Sequence, residues 1–116
     1  MSIEQRIAGL EKSLKDNKEA VKFAEDLRKL VANPLFRKLI IEEFTIREAA
    51  RYVQESGDPL CTAEQRADAL ALAQAGGHLK RWIEINLRMG DVAVSTIEAL
   101  ELELDDVRAL PETDEE

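Results

Sequence analysis

Cysteine occurs once in these 116 residues, at Cys61, so no internal disulfide can form, and a reducing, cytosolic setting is expected. Histidine also occurs once, at His78, with no second histidine or cysteine at ligand spacing. No metal or cofactor is therefore expected. Aromatic residues make up only 4% of the chain, which argues against sheet-rich folds. Three prolines and five glycines leave long stretches without a helix breaker. No apolar run approaches the roughly 20 residues that a membrane-spanning helix needs. The first residues, MSIEQRIAGLEKSLKD, are charged throughout, and no signal peptide is expected. Basic residues are outnumbered by acidic ones, giving a net charge of -8. Such a chain is repelled by nucleic acid and by anionic lipid, so neither is an expected partner.

Charged residues are abundant, at 34%, alongside many Ala, Leu and Glu, a composition that favours helix. The expected fold is all-α, an elongated hairpin or bundle of three helices over about 2–32, 34–55 and 63–109. Coiled-coil-like assembly is expected to accompany it.

The most apolar stretch is Asn33 to Pro59, NPLFRKLIIEEFTIREAARYVQESGDP. Asn33 suits a helix N-cap and Pro34 the first helical position. Ser56-Gly57-Asp58-Pro59 provides a stop, with Gly57 free to take a left-handed turn. At 100° per residue, Leu35, Leu39, Ile46, Ala50 and Val53 form one stripe. Phe36, Ile40 and Phe44 form a second, and Ile41 and Tyr52 share a third side. A helix apolar on so much of its circumference is expected to be buried by several neighbours.

Before it, Ile3, Ile7, Leu10, Leu14, Asn17, Val21, Ala24, Arg28 and Val31 alternate at spacings of four and three, a heptad seam interrupted by Asn17 and Arg28. Its first half has no aromatic residue. Residues 1–32 thus read as an amphipathic helix or arm, 33–110 as a hairpin core, and 111–116 as an acidic, disordered tail. Residues 1–22 are expected to be dispensable for folding.

Thr62 and Gln65 have capping-box spacing, which starts a third helix at Ala63. From there Ala67, Ala71, Ala75, Leu79, Trp82, Ile85, Met89, Ala93, Ile97, Leu100, Leu104 and Val107 keep to one face, at a mean spacing of about 3.6. The phase survives Gly76-Gly77. Those glycines, or Gly90, could bend the helix, or could let another backbone approach closely. Close packing is the preferred reading.

No phosphate-binding or dinucleotide motif is present, and no Glu-x-x-His pattern. Cys61 precedes a helix N-terminus, but His78 is the only histidine and lies well along that helix. No catalytic residue and no enzyme activity are expected. The residues picked out are interface candidates: Ile7, Leu10, Leu14, Asn17, Val21, Phe36, Ile40, Phe44, Trp82 and Met89. A homo-oligomer, dimer or higher, is expected, because the apolar stripes exceed what one subunit can cover.

Charge is unevenly spread. Residues 1–38 hold nine basic and six acidic residues, and the rest hold seven and eighteen. Lys12, Lys15, Lys18, Lys22 and Lys29 could therefore meet the acids of Glu98–Asp106 across a subunit contact.

Several motifs resemble small helical proteins of tailed bacteriophages, of the virion-associated or head-assembly type. They are Asn33-Pro34-Leu35-Phe36, Phe44 to Val53 (FTIREAARYV), Asp58-Pro59, Gly76-Gly77 ahead of His78 to Ile83 (HLKRWI), and Met89-Gly90-Asp91. The resemblance spans residues 30–108. It implies a non-catalytic role in capsid or virion assembly, with phage structural proteins as partners, in the cytoplasm of the infected host cell or in the virion. A binding module that inhibits a host protein through the acids after Glu98 is the alternative.

Overall fold

A computed structural model describes residues 1–111. The expected acidic tail therefore lies outside the described residues, apart from Pro111. Three helices make up the described chain: α1, Ile3–Ala32; α2, in three successive segments, Pro34–Phe36, Arg37–Glu48 and Ala49–Ser56; and α3, Ala63–Arg108. The fold is all-α, as expected.

Each start has a chemical cause. Asn33 is extended, and its side-chain oxygen accepts from the Leu35 and Phe36 amides at 2.8 and 3.2 Å. Thr62 and Gln65 form the expected reciprocal cap, at 2.9 and 3.1 Å. Ser2 and Gln5 make a second such box at the start of α1. Its S-x-x-Q spacing is plain in the sequence.

Between α2 and α3 the turn forms without a left-handed glycine. Gly57 has φ -104°, and its amide donates to the Gln54 carbonyl at 3.2 Å. Asp58 accepts from the Leu60 amide at 2.9 Å, and the Arg66 guanidinium donates to the Cys61 carbonyl at 2.7 Å. An Asx turn and a side chain reaching back from α3 thus do the work expected of Gly57.

Contacts divide the chain into two compact units. One joins Met1–Asp26 with the residues from Asn86 onward. Here α1 and α3 run antiparallel, since Ala24 lies against Gly90 and Glu11 reaches Arg108 at 3.8 Å. Ala24, Ala93, Leu104 and Val107 are buried. The seam from Ile3 to Val21 is half-buried, whereas Arg28 is exposed.

The second unit spans Leu27–Ile85. In it α2 lies against the first half of α3. A Cβ placed on Gly76 would stand 2.8 Å from the Thr45 Cα, so backbones nearly touch there. Thr45 is the buried residue of α2, and its hydroxyl donates to the Ile41 carbonyl. Leu27, Ala69 and Ile83 are the buried apolar residues of this unit.

Two expectations about faces are corrected. α2 is not enveloped: Leu35, Leu39, Ile46 and Val53 are 63, 50, 55 and 57% exposed. Arg37–Glu48 is a π-helix, bonded i to i+5, so the inward face passes through Phe36, Ile40, Ile41, Thr45 and Ala49 at longer spacing than 100° per residue assumes. On α3, the stripe from Ala93 to Val107 faces inward as expected, but Ala67, Ala71, Trp82, Ile85 and Met89 are exposed. Ala69, Ala73, Gly76, Ile83 and Gly90 face inward instead. Close approach favours alanine and glycine, and that leaves the larger side chains outside. Of the Gly76-Gly77 pair only Gly76 serves the expected close packing, as Gly90 also does, while Gly77 faces open space, all within one uninterrupted helix.

Candidate interaction surface

The structure distributes the expected interface residues over several places. On α1, Ile7, Leu10, Leu14, Asn17 and Val21 are half-buried. Asn17 donates to the Ser13 carbonyl at 2.8 Å, so its amide is satisfied within its own helix. It shares with Met89 an apolar hollow of about 300 Å³, completed by Ala20, Arg88, Val92 and Ala93. Leu14 and Phe23 instead line a larger hollow of about 590 Å³, edged by Lys15, Lys18, Lys22 and Arg108. Leu10 borders a third with Glu103.

In the other unit Phe36 and Ile40 are half-buried on the inward side of α2, while Phe44 is exposed. Trp82 and Met89 on α3 are 49 and 56% exposed. Ile85 and Val92 accompany them at spacings of three and four, and are also exposed. Neither was singled out as an interface residue, although Ile85 lay within the expected stripe. The 3.6-residue phase with Trp82 and Met89 was the available signal.

Charges form a rim. On α2, Arg51 pairs with Glu48 and Glu55 at 2.8 and 2.7 Å and stacks over the Tyr52 ring at 4.4 Å. The hydrogen bond to Glu48 raises the guanidinium above its ordinary value. Arg47 and Glu43 pair at 3.1 Å, as their spacing indicates. On α1, Lys22 pairs with Asp26, which raises its amino group above the ordinary value, and Lys12 pairs with Asp16. These exposed pairs are screened by solvent and add little to stability. Along α3, Arg81, Glu84, Arg88 and Asp91 follow one another at spacings of three, four and three.

Cys61 is half-buried and borders a hollow with Glu55, Gln65, Asp68, Ala69 and Leu72; His78 is not among them. Among the described residues no cluster of His, Cys, Asp or Glu could hold a metal ion. No helix there is long and apolar enough to cross a membrane.

What the fold and surface define is an all-α protein of paired antiparallel helices, with thin alanine- and glycine-rich contacts and large apolar side chains left outside. The chain matches no family model, no curated protein and no solved structure.

Proposed function

We propose that this is a non-catalytic helical protein that associates with copies of itself and acts in the capsid or virion assembly of a tailed phage. One observation carries the self-association: Leu35, Leu39, Ile46 and Val53 on α2, and Trp82, Met89 and Val92 on α3, are exposed, while among the described residues only Leu27, Ile83, Leu104 and Val107 of the larger apolar side chains are buried. Burying apolar surface stabilises by about 25 cal/mol per Å², so a partner covering these residues gains far more than the surface ion pairs supply. The phage setting rests on the resemblance over residues 30–108. Phage structural proteins are the further partners it proposes, in the infected cell or the virion.

Mass spectrometry of purified particles and of assembly intermediates tests the setting. A fixed copy number in either supports it; absence from both contradicts it.

The alternative, inhibition of a host protein through the acids after Glu98, fits the surface less well. Glu98, Glu101 and Asp105 share one side of α3, but Glu103 and Asp106 lie elsewhere round the helix. The proposal that α1 lysines meet these acids in a second subunit retains Lys15 and Lys18, which edge the large hollow. Reversing both to Glu should weaken association at low salt, and reversing Glu101 and Glu103 to Lys in that variant should restore it. Association unchanged by the first reversal would remove the lysines from the account.

A further inference from the structure

We propose that two copies of the chain pair about a two-fold axis, with α1 of each parallel to α3 of the other, Lys15 and Lys18 meeting Glu98 and Glu101. This rests on the self-association proposed above and gives it a surface and a register.

Glu11 and Arg108 mark the surface, since they approach to 3.8 Å between α1 and α3. Residues three or four apart share a side of a helix. From Glu11, that side of α1 runs through Lys15, Lys18, Lys22 and Glu25. From Arg108, that side of α3 runs back through Asp105, Glu101 and Glu98. All are exposed, and all belong to the unit that joins Met1–Asp26 to the residues from Asn86 onward. Lys15, Lys18, Glu98 and Glu101 are in no ion pair among the described residues.

The charges select a second copy as the occupant. Lys15, Lys18, Lys22 and Glu25 are spaced three, four and three. Glu98, Glu101, Asp105 and Arg108 have the same spacing with every sign reversed. Laid parallel, the two rows match at every position. Laid antiparallel, Lys15 faces Arg108 and Glu25 faces Glu98, which repel. Within one chain α1 and α3 are antiparallel, so only a second copy supplies the parallel neighbour. Lys22 and Arg108 are already held by Asp26 and Glu11, so Lys15, Lys18, Glu98 and Glu101 carry the contact.

The same unit fits a two-fold axis. Between the Ala24–Gly90 and Glu11–Arg108 contacts, residues 15–18 stand level with residues 98–101 of the same chain. An axis across the helices at that level makes the contact twice, Lys15 to Glu98 and Lys18 to Glu101 in each direction, as an isologous interface requires. In this register Leu102, 67% exposed between Glu98 and Asp105, comes level with Glu19 of the other copy. Glu19 borders the hollow of about 590 Å³ on α1, whose lining includes Leu14. The contact thus covers an apolar side chain as well as pairing charges.

Two charge-reversed forms of the full chain test this, read by sedimentation. One carries Lys15→Glu with Lys18→Glu, the other Glu98→Lys with Glu101→Lys. All four positions are exposed, so the helices stay intact, which circular dichroism checks. Each form alone sets like charges together twice, and its dissociation constant should rise roughly tenfold or more. An equimolar mixture sets opposite charges together twice and should recover the parental value. Forms that associate as the parent does would overturn this surface and leave self-association standing. A mixture as weak as its components would overturn the pairing of these lysines with these acids. A monomeric parent would overturn both proposals.

Cross-linking reads the register. In a Cys61→Ser background, Lys15→Cys chains are mixed with Glu98→Cys or with Arg108→Cys chains and treated with a short bismaleimide. Positions 98 and 108 lie about 15 Å apart at 1.5 Å rise per residue. The mixture with Glu98→Cys should give a covalent heterodimer, and the mixture with Arg108→Cys should not. The reverse result would mean antiparallel rows and would overturn the proposal, as would cross-linking of neither mixture in an associated protein.

Discussion

Gly76 and Gly77 are neighbours in sequence and opposites in environment. A Cβ on Gly76 would stand 2.8 Å from the Thr45 Cα and 3.1 Å from its Cβ; one on Gly77 would meet nothing within 4 Å. Replacing glycine by alanine within a helix stabilises by roughly 1 kcal/mol in the open. Forcing a methyl into a filled contact costs about 1–3 kcal/mol. Gly77→Ala should therefore raise the urea midpoint, and Gly76→Ala should lower it. Equal responses would mean that α2 does not approach α3 as closely as described. Gly90 makes a parallel case. Its added methyl would overlap the Ala24 methyl, so Gly90→Ala should destabilise, and Ala24→Gly in the same chain should recover part of the loss. At this scale the sequence was half legible. Two small residues together signal close packing, but which of the pair faces the neighbour depends on helix phase, and that phase was assigned from the larger residues.

Between elements, the caps were legible and the faces were not. Asn33, Thr62 and Gln65 act through bonds two and three residues away, so local sequence determines them. The π-helical Arg37–Glu48 has no such signature: it contains neither glycine nor proline, and a 100° wheel passes through it unaware. Backbone amides there should exchange with solvent faster than those from Ala93 to Val107. The segment buries only Thr45, whereas Ala93, Leu104 and Val107 are buried. Matching protection in both segments would contradict that difference. For α1, the sequence reading made residues 1–22 dispensable. In the structure the half-buried seam of α1 is the other layer of the unit that buries Ala93, Leu104 and Val107. Deleting residues 1–22 should therefore lose helix from the α3 segment after Asn86, seen as circular dichroism falling by more than the deleted residues account for. Loss confined to the deleted residues would support the dispensable arm.

For the molecule as a whole, the helical class followed from composition and periodicity. The interface candidates were harder to read, because apolar stripes at helical spacing look alike whether they face a neighbour in the same chain or in another. Trp82 and Met89 sit in phase with Ala93, yet Ala93 is buried and they are not. Two forces acting at the proposed contact respond differently to salt. The screening length falls from about 10 Å at 0.1 M to about 3 Å at 1 M. Sodium chloride should accordingly weaken association severalfold through Lys15 and Lys18 without abolishing it, since apolar contact is not screened. Complete dissociation at high salt would mean that charge alone holds the copies together.

Sedimentation equilibrium of the full chain, from low to high micromolar concentration, tests the central claim most directly. A monomer has a mass of 13.0 kDa. The account predicts a mass that rises with concentration to at least twice that value, and a fall toward the monomer when Trp82 and Met89 are both replaced by Ala. A parent protein that stays at the monomer mass at high micromolar concentration would contradict it, because the apolar faces of α2 and α3 would then be stable against water with nothing to cover them.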